Sequence, residues 1–176
     1  FDFKGITPVA DILDTDEKHA VALESVLGNS MNYLVVNTLD EAKRAAGILR
    51  ENKKGRATFI PLDQLAATYE VSDGSLFDHV KTKPQYSALK QLLLGQVLVF
   101  ESVEEAFQTL KGKAGTGVTY QGEVITGSRF YQSGSKSKNT GIRVGLKDKI
   151  ERLEKEEAQT LKEIEKLEDY LEQIIA

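Results

Sequence analysis

The hydrophobic and polar positions of residues 1–143 alternate between the period of a helix and the period of a strand. Apolar residues at Ala20, Leu23 and Leu27 share one helical face, and Gly28 follows as a C-terminal stop. Further helices are predicted after residue 38, over 86–94 and after residue 102, and strands are predicted at 33–36, 57–60 and 97–100. The alternation over 118–125, centred on Gln121 and Gly122, predicts a hairpin. The pattern therefore indicates a mixed α/β (α+β) domain.

Three short segments have the composition of a capping box, in which the first side chain and the fourth each satisfy a free backbone N–H of the other. They are the segments 14–17, 38–41 and 102–105, which begin with Asp14, Thr38 and Ser102 and each end with a glutamate. We therefore expect helices to begin at these three positions.

The last 31 residues follow a different pattern. Apolar residues and two polar ones recur at alternating spacings of four and three, which is the heptad of a coiled coil, flanked by Glu and Lys. The positions are Leu146, Ile150, Leu153, Glu157, Thr160, Ile164, Leu167, Leu171 and Ile174. One helix of this length would extend for about 46 Å, so its apolar seam needs a second helix. The alternative is a single amphipathic surface helix. Because this chain has no second heptad segment, we expect the partner helix to lie outside it.

Composition and charge exclude several classes of protein. Hydrophobic residues make up 40% and charged residues 28%, which suits a folded protein with a core. The absence of cysteine excludes disulfides and thiol chemistry, and two histidines exclude a histidine-rich metal centre. No apolar run is long enough for a membrane helix, and we expect no signal peptide, no membrane partner and a cytoplasmic location. Residues 146–176 carry the whole net charge of −4, which leaves the rest neutral.

Enzymatic chemistry is not favoured by any motif. Asp11, Asp14, Asp16 and Glu17 could together hold a divalent cation, but helix-start chemistry already accounts for Asp14 and Glu17. We interpret His19 as an exposed helical residue, and we expect neither a catalytic site nor a cofactor.

A segment rich in glycine and serine, residues 127–141, joins the two regions. Six residues separate Gly127 from Gly134, and Ser135 precedes Lys136, so the spacing does not match a phosphate-binding P-loop. The segment and its surroundings carry Arg129, Lys136, Lys138 and Arg143, and no acidic residue occurs between Val124 and Leu146. We expect a flexible basic loop, which indicates either solvated lysines or a contact with nucleic acid. A second basic cluster at Lys53, Lys54 and Arg56 is explained by its place at a helix end.

Three stretches resemble the hinge domain of SMC (structural maintenance of chromosomes) proteins of the prokaryotic kind. They are Ala10 to Gly28, Tyr33 to Val36, and the string Gly-Arg-Ala-Thr-Phe-Ile-Pro-Leu-Asp at residues 55–63. The resemblance covers essentially the whole chain. It implies a hinge of two subdomains over residues 1–143, and it makes residues 146–176 the start of a returning coiled-coil arm. It also implies that the outgoing arm and the ATPase head of a full-length SMC protein lie outside this chain.

The resemblance further implies a second hinge as partner, in a homodimer whose backbones approach closely at interface glycines. Gly127 and Gly134 stand at the matching positions, although the family's usual paired glycines are each reduced here to one glycine followed by serine. Lysines just after the last interface glycine are linked to DNA in the family, and Lys136 and Lys138 match that position, with Arg129 and Arg143 as weaker candidates beside them. The function implied is non-specific DNA contact by a dimerisation hinge in chromosome condensation and segregation, at the nucleoid. The alternative is a purely structural cap of a coiled coil that does not contact DNA.

Overall fold

The computed structural model describes residues 5–52, 55–134 and 146–175, and the side chains of the last range only between 150 and 170. By their internal contacts, residues 1–145 form one compact unit and residues 146–176 form another. The mixed α/β fold predicted from the sequence is confirmed. The helices are α1 (Glu17–Leu27), α2 (Leu39–Glu51), α3 (Ser87–Leu94), α4 (Val103–Leu110) and α5 (Leu146–Ile175). The strands are β1 (Thr7–Pro8), β2 (Asp14–Thr15), β3 (Leu34–Val36), β4 (Phe59–Pro61), β5 (Val80–Lys81), β6 (Val97–Phe100), β7 (Thr116–Thr119), β8 (Val124–Thr126) and β9 (Phe130–Gln132).

The strands of the first unit form three small sheets. The first has the order β1-β3-β4, the second pairs β2 with β5, and the third has the order β6-β7-β8-β9. Strands β3 and β4 are parallel and joined through α2, and strands β6 and β7 are parallel and joined through α4. A parallel pair needs a crossover of this kind, because its connection must return to the starting end. The predicted hairpin is confirmed as the antiparallel pair β7 and β8.

Helix starts follow local hydrogen bonding, and one prediction about them is wrong. The capping box at Thr38 is confirmed, since its side chain accepts from the Glu41 N–H at 3.2 Å and the Glu41 carboxylate accepts in return. Ser102 also caps its helix. Helix α1, in contrast, is capped by Asp16 and not by Asp14. Asp14 belongs instead to β2, where pairing with β5 takes up the backbone that the predicted box would have used.

Buried side chains form two clusters in the first unit. The larger one centres on α1, α3 and the first sheet and includes the fully buried Leu23, Leu76 and Leu89. The smaller one joins α4 to the third sheet through Phe100, Ala106, Leu110 and Ile125. Each fully buried Leu or Ile side chain stabilises the fold by about 1.5–3 kcal/mol. The smaller cluster therefore fixes α4 and the loop after it against the hairpin.

Helix α5 is a single continuous helix of 30 residues, as the heptad predicts. All of its side chains between residues 150 and 170 are exposed. The described part of its apolar seam therefore has no cover within the unit that it forms.

Candidate interaction site at the edge of the third sheet

Strand β9 lies at one end of the four-stranded sheet, and within the described residues only β8 pairs with it. All three of its residues are exposed, and the exposed fractions of Phe130 and Tyr131 are 72% and 51%. A strand with one free edge and exposed aromatic side chains is a surface on which another chain can add. Sequence reasoning missed this strand, because its three residues lie inside the segment that we expected to be a flexible loop.

The turn before β9 gives Gly127 a local role. Gly127 and Ser128 have φ angles of +56° and +51°, and the Arg129 N–H donates to the Thr126 carbonyl at 3.1 Å. Positive φ at both central residues is the requirement of a type I′ turn, which glycine meets without steric cost. A Cβ added at Gly127 or at Gly134 would meet no described atom within 4 Å, apart from those of its two chain neighbours. Among the described residues, nothing therefore fills the space beside either glycine.

A groove of about 510 Å³ lies beside this turn, and three cations line it. Lys111 and Lys113 come from the loop after α4, and Arg129 comes from the turn before β9. All three side chains are exposed, and no carboxylate is among the lining residues. The antiparallel hairpin of β7 and β8 brings the two loops together, since it places Thr116 opposite Thr126.

This juxtaposition gives Arg129 two neighbouring cations that sequence reasoning missed. The signal was present in the predicted hairpin, because the residues before its first strand must lie near those after its second. Lys136, Lys138 and Arg143 lie outside the described residues.

Tyr131 makes one contact with the hairpin and one with α4. Its hydroxyl donates to the Glu123 carboxylate at 3.0 Å, and its ring meets the edge of the Phe107 ring with 6.2 Å between centroids. The Ser128 hydroxyl donates to the Phe107 carbonyl at 3.3 Å. These contacts hold β9 and its turn against α4, so the exposed edge is built on supported backbone.

The prediction that His19 is exposed is wrong. Its exposed fraction is 5%, and its ring stacks on the ring of His79 at 4.0 Å between centroids. The Asp16 carboxylate accepts from the His19 backbone N–H at 3.0 Å and lies 2.7 Å from the ring Nδ1. This hydrogen bond with His19 holds the pKa of Asp16 below its ordinary value of 3.8. His19 therefore joins α1 to the segment that carries His79, and Asp16 caps the helix as a charged group.

No group of three or more His, Cys, Asp or Glu side chains among the described residues is arranged to hold a metal ion. None of their helices is long and apolar enough to cross a lipid bilayer.

Residues 3–109 match the family model of the SMC proteins Flexible Hinge Domain. Among curated relatives, the chromosome partition protein Smc of Methanocaldococcus jannaschii is 31% identical over 145 residues, which are 78% of this chain and 12% of that protein. The chromosome partition protein Smc of Bacillus subtilis is 29% identical over 170 residues, which are 86% of this chain and 14% of that protein. The chain thus spans only a small part of the length of the relatives that it matches.

Solved structures share the fold over most of the chain. The asymmetric dimer of the Geobacillus stearothermophilus SMC hinge domain superposes with a TM-score of 0.76 at 23% identity, covering 93% of this chain and 71% of that one. The Pyrococcus furiosus Smc hinge domain with an extended coiled coil superposes with a TM-score of 0.67 at 27% identity, covering 98% of this chain and 65% of that one. With the family model matching more than half of its residues, the chain belongs to the family of SMC hinge domains.

Proposed function

We propose that this chain is the dimerisation hinge of an SMC chromosome-organising ATPase, with residues 1–143 as the hinge and residues 146–176 as the start of the returning coiled-coil arm. In this proposal the partner is a second, identical hinge, and the ATPase activity belongs to parts of the parent protein outside this chain. The observation that carries the proposal is the free edge of β9, with its exposed Phe130 and Tyr131. A two-fold dimer that covers this edge satisfies the unpaired backbone groups of both copies.

The two glycines have a role in that dimer. Gly127 and Gly134 leave open space where a side chain would begin, so a second backbone can approach closely there. The relative of known structure from Geobacillus stearothermophilus is an asymmetric dimer. Its likeness to this chain supports the proposal at the level of the fold.

The second part of the proposal is contact with DNA without sequence preference, in chromosome condensation and segregation at the nucleoid. The groove cations Lys111, Lys113 and Arg129 support it, because clustered cations with no carboxylate among them attract phosphates. Strand β9 is followed closely in sequence by three more cations, Lys136, Lys138 and Arg143. The acidic residues of 146–176 repel a duplex, so the proposed contact is assigned to the basic residues that precede them in the sequence.

A structural cap without DNA contact is the second candidate. Its support is the charge balance, since residues 1–145 have no net charge and residues 146–176 carry −4. Titration of the chain with duplexes of unrelated sequence at several salt concentrations separates the two candidates. DNA contact predicts similar affinities for all sequences and a steep loss of affinity with salt, whereas the cap predicts no binding even at low salt.

A further inference from the structure

Between residues 150 and 170, the apolar seam of helix α5 has charged borders of one sign. Numbering its heptad from the seam puts seam residues at positions a and d and their neighbours at e and g. The described apolar seam residues are between 45% and 62% exposed, namely Ile150, Leu153, Ile164 and Leu167. Leu161 at e and Tyr170 at g are also exposed and widen the seam.

The charged residues that border this seam between 150 and 170 are all glutamates. They are Glu154 and Glu168 at position e, and Glu156 and Glu163 at position g. The cations of the same stretch, Arg152, Lys155, Lys162 and Lys166, all occupy positions c and f, away from the seam. The two lysines at border positions, Lys147 at e and Lys149 at g, both precede this stretch.

The two polar seam positions differ in what they need from a partner. The Thr160 hydroxyl donates to the Glu156 carbonyl at 2.8 Å, so it is satisfied within the helix. Glu157 occupies position a, where a partner helix would cover it. A covered carboxylate is costly unless a cation pairs with it.

A second copy of α5 is a poor partner for this surface. In an antiparallel pair, e positions face e and g positions face g, so the described borders would place glutamate opposite glutamate. In a parallel pair, Glu157 would face itself and Glu163 would face Glu168. Like charges in these positions suppress a pairing, and opposite charges select it.

We infer that α5 pairs with a helix whose own border positions carry Lys or Arg along this stretch, and that it rejects a second copy of itself. The inference rests on the proposed role of α5 as one arm of a coiled coil. It adds the chemistry of the other arm, which is an apolar seam between two basic borders.

Two designed helices with the same apolar seam and the same net charge test this inference. One carries Lys at e and g with Glu at b and c and Gln at f, and the other exchanges the Lys and the Glu residues, so that both are neutral in each heptad. Each is labelled and titrated with the full chain, and binding is followed by fluorescence anisotropy at 50 mM and 1 M NaCl. We expect the Lys-bordered helix to bind at least tenfold more tightly at low salt, and the difference to shrink at high salt because the border pairs are exposed.

Charge-reversed variants of the chain make the test specific to the borders. Glu154→Lys, Glu156→Lys and Glu163→Lys together should reverse the preference. The matched control Glu151→Lys, Glu165→Lys and Asp169→Lys makes the same change in net charge away from the seam and should retain it. Circular dichroism verifies that both variants keep their helix.

The outcomes separate this inference from the proposed function. Equal affinity for the two helices, or a preference for the Glu-bordered one, would overturn the charge selectivity and leave α5 as a coiled-coil arm. Failure of both helices to bind would overturn the arm itself, and the inference with it.

Discussion

At the scale of single residues, a few polar side chains have structural roles that the hydrophobic period does not reveal. Asp16 caps α1 and also bonds the ring of His19, which is buried by stacking on His79. The sequence showed an acidic cluster before a helix and a histidine beside it. It did not show that Asp14 would pair within strand β2 and so would not cap the helix, because the partner strand β5 lies more than 60 residues away.

Replacing Asp16 by Ala should destabilise the fold by about 1 kcal/mol at neutral pH, which is the usual cost of losing an N-cap. Because the pKa of Asp16 is lowered in the folded chain, its ionised form adds stability above pH 3.8 that is lost as pH falls through the lowered value. Urea unfolding at several pH values should therefore show the two chains converging in strong acid. Asp16→Asn keeps a capping oxygen but no charge, so its stability at pH 7 should lie between those of wild type and Asp16→Ala. A gap between wild type and Asp16→Ala that is unchanged at pH 2 would refute the role of the ionised cap.

Lys136→Glu with Lys138→Glu should weaken binding to every DNA sequence alike and leave the dimer intact. Lys111→Glu with Lys113→Glu should do the same if the groove contributes. Each lost phosphate contact should reduce the log–log salt slope by about 0.9. The control, Lys43→Glu with Lys83→Glu, reverses two exposed lysines outside the groove and should have little effect. Unchanged affinity of both test variants at low salt would contradict this placement of the DNA contact, and an absence of binding by the unmodified chain would favour the structural cap.

At the scale of elements, helices and strands with a strong period could be predicted and the edge strand could not. Helices α2 and α4 and the hairpin have clear caps, apolar faces or a turn signal of their own. Strand β9 has only three residues, which lie between glycines and serines. It forms a strand because it pairs with β8 and because the Tyr131 ring contacts the Phe107 ring. The sequence analysis thus named the two glycines and Arg129, whose roles stay predictions, and it missed Phe130, Lys111 and Lys113.

Two glycine replacements test how tightly the elements pack. A Cβ at Gly95, which ends α3, would lie 2.6 Å from the backbone oxygens of both Gln91 and Glu70. Neither oxygen belongs to a flexible side chain, so Gly95→Ala should destabilise by about 1–3 kcal/mol. Gly47 lies within α2 with nothing near an added Cβ, and Gly47→Ala should stabilise by about 0.5–1 kcal/mol. Thermal unfolding should move in opposite directions for the two, and equal shifts would contradict the packing described.

Helix α5 should be only marginally stable without its partner, since isolated helices depend on packing for most of their stability. Joining a preceding arm to the chain should raise both the helicity and the melting temperature of this segment. Circular dichroism before and after the addition measures this. If neither quantity changes, the seam of α5 is not the face of an intramolecular coiled coil.

At the scale of the whole molecule, the free edge of β9 and the open space at its glycines favour a dimer. Gly127→Glu with Gly134→Glu should raise the dissociation constant of the dimer at least tenfold, because charged side chains would hold the two backbones apart. Gly28→Glu with Gly74→Glu is the matched control, since both glycines also have positive φ and open space, and they lie away from β9. The control should remain dimeric. If the test pair is as dimeric as the parent chain, the two glycines are not at the interface.

Sedimentation equilibrium of the unmodified chain over a wide range of concentrations tests the dimerisation hinge most directly. The mass of one chain is 19.5 kDa. We expect the weight-average mass to approach twice this value at micromolar concentration, and to stay there when the borders of α5 are screened by salt. A mass that remains that of a single chain at every concentration would contradict the account.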